Sequence, residues 1–211
     1  MPLYREQAEN LLKALKSHLF KGLFDRLDFI KRLESDDDWS FVIKMQALIE
    51  AAVTEAAVAR TGEEKLNRVI ERLPLVDGDI GKLTIGRDLG LLTKPQRRFV
   101  QKMAALRNQL AHRVESVDFT FPEYLTSLEC AALRDWKESV AWFRDAREAP
   151  EFWLDAAAEQ PRVAVTLAVF LLVGLLHVSA AEDGTSRKIN AAALQTAEEL
   201  FASLLHHDNA G

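Results

Sequence analysis

Three side chains of complementary chemistry crowd into one short stretch, Arg107-Asn108-Gln109-Leu110-Ala111-His112. A guanidinium grips a phosphate through parallel donors, an imidazole takes or gives a proton near neutral pH, and an amide can orient either one. Asn108 and His112 are four apart, which on a helix places them on one face. Arg107 is one position round, with a side chain long enough to reach the same spot. The set can hold a phosphate and move a proton. It also suits a helix end with no chemistry, because cations near a C-terminus are favourable on their own and can bond the last carbonyls.

The helix that carries the set opens at Thr93-Lys94-Pro95, with Pro95 suited to a first turn. Phe99, Met103, Leu106 and Leu110 form one apolar stripe along it. Upstream, the spacing predicts a long helix over residues 3–33 through Ala8, Leu12, Leu15, Leu19, Leu23, Leu27 and Ile30. A second helix starts at Ser35-Asp36-Asp37-Asp38, with Ser35 as cap, and turns Phe41, Met45, Leu48, Ile49, Ala52 and Ala56 inward. It ends near Arg60-Thr61-Gly62, and Glu50 and Glu55 read as solvated positions on it. A shorter helix over 63–73 and a Pro74 to Asp79 loop lead to a short helix over 81–92, closed by Leu89-Gly90-Leu91-Leu92.

Beyond His112 the pattern changes. Phe119 and Phe121 alternate with polar residues in what reads as an extended loop laying its aromatics on the helices. Helical signal resumes over 122–128 and 131–146, the latter carrying Leu133, Trp136, Val140 and Phe143. Pro150 and Pro161 bracket a linking segment with Phe152 and Trp153. Residues 163–181 are nearly all apolar and long enough to span a bilayer. Their flanks lack a strong basic anchor, which favours a helix buried on all sides of a bundle, with His177 at the core or rim. Asp183-Gly184-Thr185-Ser186 reads as a turn before a last helix over 187–205 and a frayed end at His206-His207-Asp208.

At 211 residues, 48% of them hydrophobic, the chain can bury a full core, and nine glycines with six prolines suit long helices. The expectation is a single all-α domain over 1–211: a core over about 36–128, with helices 3–33 and 131–206 packed on it. One cysteine, Cys130, excludes an internal disulfide, and Met1-Pro2-Leu3-Tyr4 leads directly into an amphipathic pattern without a signal peptide. Cytoplasmic localisation, with no membrane partner, is the expectation.

The net charge of −5 argues against a general nucleic-acid coat protein. Yet residues 81–113 hold eight cations against Asp88 alone, and residues 114–211 hold seven against sixteen acids. A basic segment in an acidic chain fits a local anionic ligand, an acidic partner surface, or a solvated face. Asp77 and Asp79 lack the further ligands of a calcium loop, and the tail histidines lack a third ligand. No metal site and no cofactor is expected.

The Arg107 to His112 stretch resembles the Arg-x4-His signature of HEPN domains, in which Asn commonly follows the Arg. The Leu89-Gly90-Leu91-Leu92 turn, Ser40-Phe41-Val42-Ile43 and the 81–112 block are similar to the mannitol operon repressor family. The likeness covers residues 36–128. It implies an antiparallel helical bundle with a C-terminal helical extension, working as a homodimer whose motif helices face each other across a basic cleft. It further implies metal-independent RNA cleavage, as a toxin or defence component held in check by an antitoxin or regulatory protein. On this chain His112 would be the general acid or base and Arg107 would grip the scissile phosphate. Asn108 would orient His112 or donate to the phosphate, and Arg97, Arg98, Lys102 and Arg113 would bind RNA. Some HEPN toxins carry a tyrosine two positions after the histidine that a partner enzyme modifies; here Val114 stands there, which puts that mode in doubt. The other function the resemblance implies is a non-catalytic regulator or scaffold acting through protein partners. A helix-turn-helix repressor is disfavoured by the absence of that motif and by the negative charge.

Overall fold

The computed structural model describes residues 35–112, 114–144 and 150–208; the helix expected over 3–33 lies outside them. Within the described residues all regular structure is helical, eight α-helices and no strand. The first, α1 (Asp38–Thr61), begins where Asp37 turns extended and accepts the Ser40 backbone N–H at 2.7 Å. The cap is therefore Asp37 and not Ser35. The Ser40 N–H and hydroxyl hold the Asp37 carboxyl below the usual carboxylate range. At the far end Gly62 adopts φ 77°, a left-handed conformation natural to glycine, and its N–H closes on the Val58 carbonyl.

After a 3₁₀ turn, α2 (Asn67–Arg72) and α3 (Lys82–Asp88) lead to α4 (Lys94–Ala111). A second 3₁₀ turn, Val114–Asp118, precedes α5 (Phe121–Ser127), α6 (Cys130–Val140), α7 (Pro150–Glu159) and α8 (Pro161–Asp208). The segment between Pro150 and Pro161, expected as a linker, is thus a helix. Both prolines sit at helix starts, where a missing N–H costs nothing. The expected turn at Asp183-Gly184-Thr185-Ser186 is also helix. Thr185 donates its hydroxyl back to the Ala181 carbonyl, and Asp183 pairs with Arg60 at 2.7 Å.

α8 is the main partner of α1, and the contacts between them fix their direction. Arg162 meets Asp38, whereas Arg60 meets Ser179 and Asp183, so the two helices run parallel. Within the all-α class this departs from an antiparallel pairing; α2 to α7 form the return path. His177 lies at the rim, its Nδ1 3.6 Å from the half-exposed Glu55. One core joins Phe41, Met45, Ile49 and Val53 of α1 to Phe99 and Met103 of α4, Trp136 of α6 and Leu172 of α8.

The stretch Pro161–Arg187, which contains an 18-residue window of mean hydropathy 2.4, is by length and composition capable of crossing a bilayer. It is not buried on all sides, as expected, but on one: Val165, Ala168, Val169, Leu172 and Leu176 are inside while Val163, Leu171 and Leu175 are exposed.

Candidate functional site at the end of the fourth helix

α4 starts at Thr93, whose N–H donates to Gln96 Oε1 at 2.7 Å, with Pro95 in the first turn. Phe99, Val100, Met103, Leu106 and Leu110 are buried, which fixes the rotation of the helix. The expected stripe therefore faces the core, and Arg107, Asn108 and His112 face solvent.

Two devices hold the C-terminal end of α4. Trp39 Nε1 donates to the Leu110 carbonyl at 3.3 Å, taking up one of the acceptors a helix end leaves open. One residue before it, Asp38 accepts the Phe121 N–H at Oδ2 (2.8 Å) and the Arg162 guanidinium at Oδ1 (2.7 Å). Beneath these, Phe121 packs edge-on against Phe41 and Phe119, with ring centres 6.0 and 5.4 Å apart. Tyr124 and Trp136 extend the cluster at 5.6 Å, and burial pushes the Tyr124 phenol up, with the Asp135 charge adding to it. The loop expected to lay its aromatics on the helices does so, after a 3₁₀ turn. Trp39 and Asp38 are the positioning residues that sequence reasoning missed. Their partners lie 71 and 83 residues away, and no local pattern signals them.

At the surface, Arg107 Nη1 donates to Asn108 Oδ1 at 3.1 Å. Arg107 makes no ion pair among the described residues, so its other N–H donors stay open. With its oxygen occupied, Asn108 presents its amide N–H₂ as a donor. His112 occupies the C-cap position with φ −98° and ψ 1°. The end of α4 thus offers guanidinium, amide and imidazole together.

The other cations named from the sequence are placed differently. Arg98 binds Asp135 at 2.5 Å and Glu138 at 3.0 Å, and Lys102 also binds Asp135. Lys102 and then Arg98 hold the Asp135 carboxyl below the usual range against its partial burial. Arg97 donates to the Leu92 carbonyl at 2.8 Å, and Arg113 lies outside the described residues.

A second polar cluster sits at the middle of α1. Glu50, expected as a solvated position, receives the buried Lys82 ammonium at 2.6 Å, because α3 packs its first turn there. A groove of about 1260 Å³ passes this pair, floored by Ala51, Thr54 and Ala59 and reaching Arg187. None of the three motif residues lines it. Asp77 uses its carboxylate to accept the N–H groups of Asp79 and Ile80, both at 2.9 Å, which closes a turn. Among the described residues no three His, Cys, Asp or Glu side chains group as metal ligands. No family model, curated protein or solved structure matches this chain.

Proposed function

We propose that the exposed end of α4 binds and cleaves RNA without a metal ion, in the manner of the HEPN domains it resembles. The observation that carries this reading is the joint exposure of Arg107, Asn108 and His112 on one buttressed helix end, with no carboxylate on Arg107 among the described residues. In the proposed reaction His112 serves as general base toward the ribose 2′-hydroxyl or as general acid to the leaving 5′-oxygen. As the 2′-oxygen bonds to phosphorus and the 5′-oxygen departs, the negative charge growing on the phosphoryl oxygens falls to Arg107. Asn108 holds the Arg107 guanidinium in place through its carbonyl. The products are a 2′,3′-cyclic phosphate and a 5′-hydroxyl. DNA, lacking the attacking hydroxyl, is not a substrate. One chain supplies one such helix end, and the cleft is completed by a second copy in a cytoplasmic homodimer.

The test is cleavage of end-labelled single-stranded RNA in EDTA by wild type, His112→Ala and Arg107→Ala. The expected result is cyclic-phosphate ends from the wild type and from neither variant. Inertness of folded, dimeric wild type on varied RNAs overturns the ribonuclease reading and leaves a regulator or scaffold. A monomer at micromolar concentration overturns the composite cleft.

A further inference from the structure

Trp39 is the second residue of α1, and its ring reaches the last turn of α4, where Nε1 donates to the Leu110 carbonyl at 3.3 Å. Leu110 comes three residues after Arg107 and two before His112. The indole nitrogen therefore lies on the order of one helical turn from the His112 backbone. This bond engages the one polar atom an indole has. Half-buried against the core, the ring shows solvent an apolar π-surface fixed in one orientation.

The other three tryptophans stand elsewhere. Trp136 is fully buried. Lys102 meets Asp135, and Arg98, one turn earlier on α4, also meets Glu138, so α6 runs back along α4. That direction carries Trp142 to the opposite end of α4, where Phe143 joins Trp153 with ring centres 5.2 Å apart. At the motif end, a fixed ring stands beside a guanidinium whose one side-chain bond among the described residues is to Asn108. The pair suits an unpaired nucleotide, whose base stacks on the ring while its phosphate meets the cation. A base inside a duplex has both faces covered by its neighbours and cannot use such a ring.

Resting on the ribonuclease reading of the same helix end, we propose that Trp39 is the stacking platform for a base flanking the scissile phosphate. The substrate is then an unpaired segment of RNA, and the position over Trp39 favours a purine. Stacking reads the size of the ring and not its hydrogen-bonding edges, so the preference is graded and every base is admitted.

Binding of labelled 2′-O-methyl RNA, whose blocked hydroxyl prevents cleavage, separates recognition from chemistry. Three octamers are compared on the full chain: uridine throughout, uridine with one internal adenine, and abasic throughout. The adenine strand is expected to bind tightest, and the abasic strand roughly 5- to 150-fold more weakly than it. Trp39→Leu is expected to weaken the adenine strand by a like factor and to leave the abasic strand unchanged, the two losses being one interaction. Trp39→Phe keeps a ring and is expected to hold the adenine strand within a few-fold. Indole emission supplies a readout that does not depend on how the leucine variant folds. In the wild type it is expected to fall when the adenine strand binds, and in Trp39→Phe most of that fall disappears while the strand stays bound. Equal binding of the adenine and abasic strands by the wild type overturns the platform, as does a fall in emission that survives Trp39→Phe. So does duplex RNA bound as tightly as the single strand. Base-dependent binding without cleavage of the all-ribose strand strikes the ribonuclease reading and leaves the platform standing. Cleavage indifferent to the base and to Trp39→Leu strikes the platform alone, and a wild type that binds no RNA overturns both.

Discussion

The two halves of α4 treat their positive charge in opposite ways, with Lys94, Arg97, Arg98 and Lys102 in the first half and Arg107 in the second. In the first half Arg98 and Lys102 close onto Asp135 and Glu138 of α6, tying two helices together. At the last turn Arg107 is exposed, as is His112, and its side-chain bond among the described residues is to the Asn108 amide oxygen. The excess of cations over residues 81–113 is therefore not one basic surface. Part of it is a clamp within the fold, and at the last turn Arg107 has no carboxylate partner among the described residues. A charge count along a sequence reports what is present, and only the acids brought opposite decide what is available.

The sharpest way to break this contrast is to remove the open end. His112→Ala is expected to lower RNA cleavage by about 10²–10⁴-fold, the range of a lost general acid or base, with the melting temperature unchanged because the residue is exposed. A drop of several degrees in that melting temperature makes the end of α4 structural and erases the distinction. Arg107→Ala is expected to lower cleavage by roughly 10²–10³-fold, as for a lost oxyanion donor, again at constant stability.

The clamp is expected to show the reverse pattern. Asp135→Ala breaks two partly exposed ion pairs and is expected to lower unfolding stability by about 1 kcal/mol in urea titrations. It also frees Lys102, while Arg98 keeps Glu138, so the salt dependence of RNA binding should steepen by about one in log–log slope. An unchanged slope would mean that this half of α4 never meets the nucleic acid. Trp39→Phe keeps the ring and deletes the bond to Leu110. The expectation is a loss of about 1 kcal/mol or less, with kcat reduced more than KM is raised.

The smallest expected effect is on acid stability. Asp135 titrates in the folded protein below its unfolded value of about 3.9. Its contribution is thus complete above that pH and is lost as the pH falls through the lower folded value. With the carboxylate about one-third exposed, solvent screening keeps the contribution to a few tenths of a kcal/mol. Urea unfolding at pH 6 and at pH 3 should show the gap between wild type and Asp135→Ala narrowing at the lower pH.

The helical class, the limits of α1 at Gly62 and the rotation of α4 were legible in the sequence, because each rests on local periodicity and capping. What escaped has a non-local or ambiguous cause. Pro150 and Pro161 break a helix when internal and start one when first, and composition alone does not distinguish the two cases. Asp183-Gly184-Thr185-Ser186 has turn chemistry, yet the Asp183–Arg60 pair and the packing of α8 along α1 carry the helix through it. Glu50 looked like any solvated acid until α3, thirty-two residues on, delivered Lys82 to it. For the site, the grouping of Arg107, Asn108 and His112 on one exposed end was legible. That Arg98 and Lys102 were already engaged was not, since Asp135 stands 37 residues beyond Arg98.

Asp38 sets a timetable for the chain as it is made. Its two side-chain bonds close loops of 83 and 124 residues, to Phe121 and to Arg162. Contacts of such sequence separation form late, after the loops they close have lost their freedom. A nascent chain whose synthesis has not reached Arg162 can wind α4 but cannot complete the buttress under its last turn. The presented end of α4 therefore matures only when most of the polypeptide has left the ribosome, itself a particle built largely of RNA.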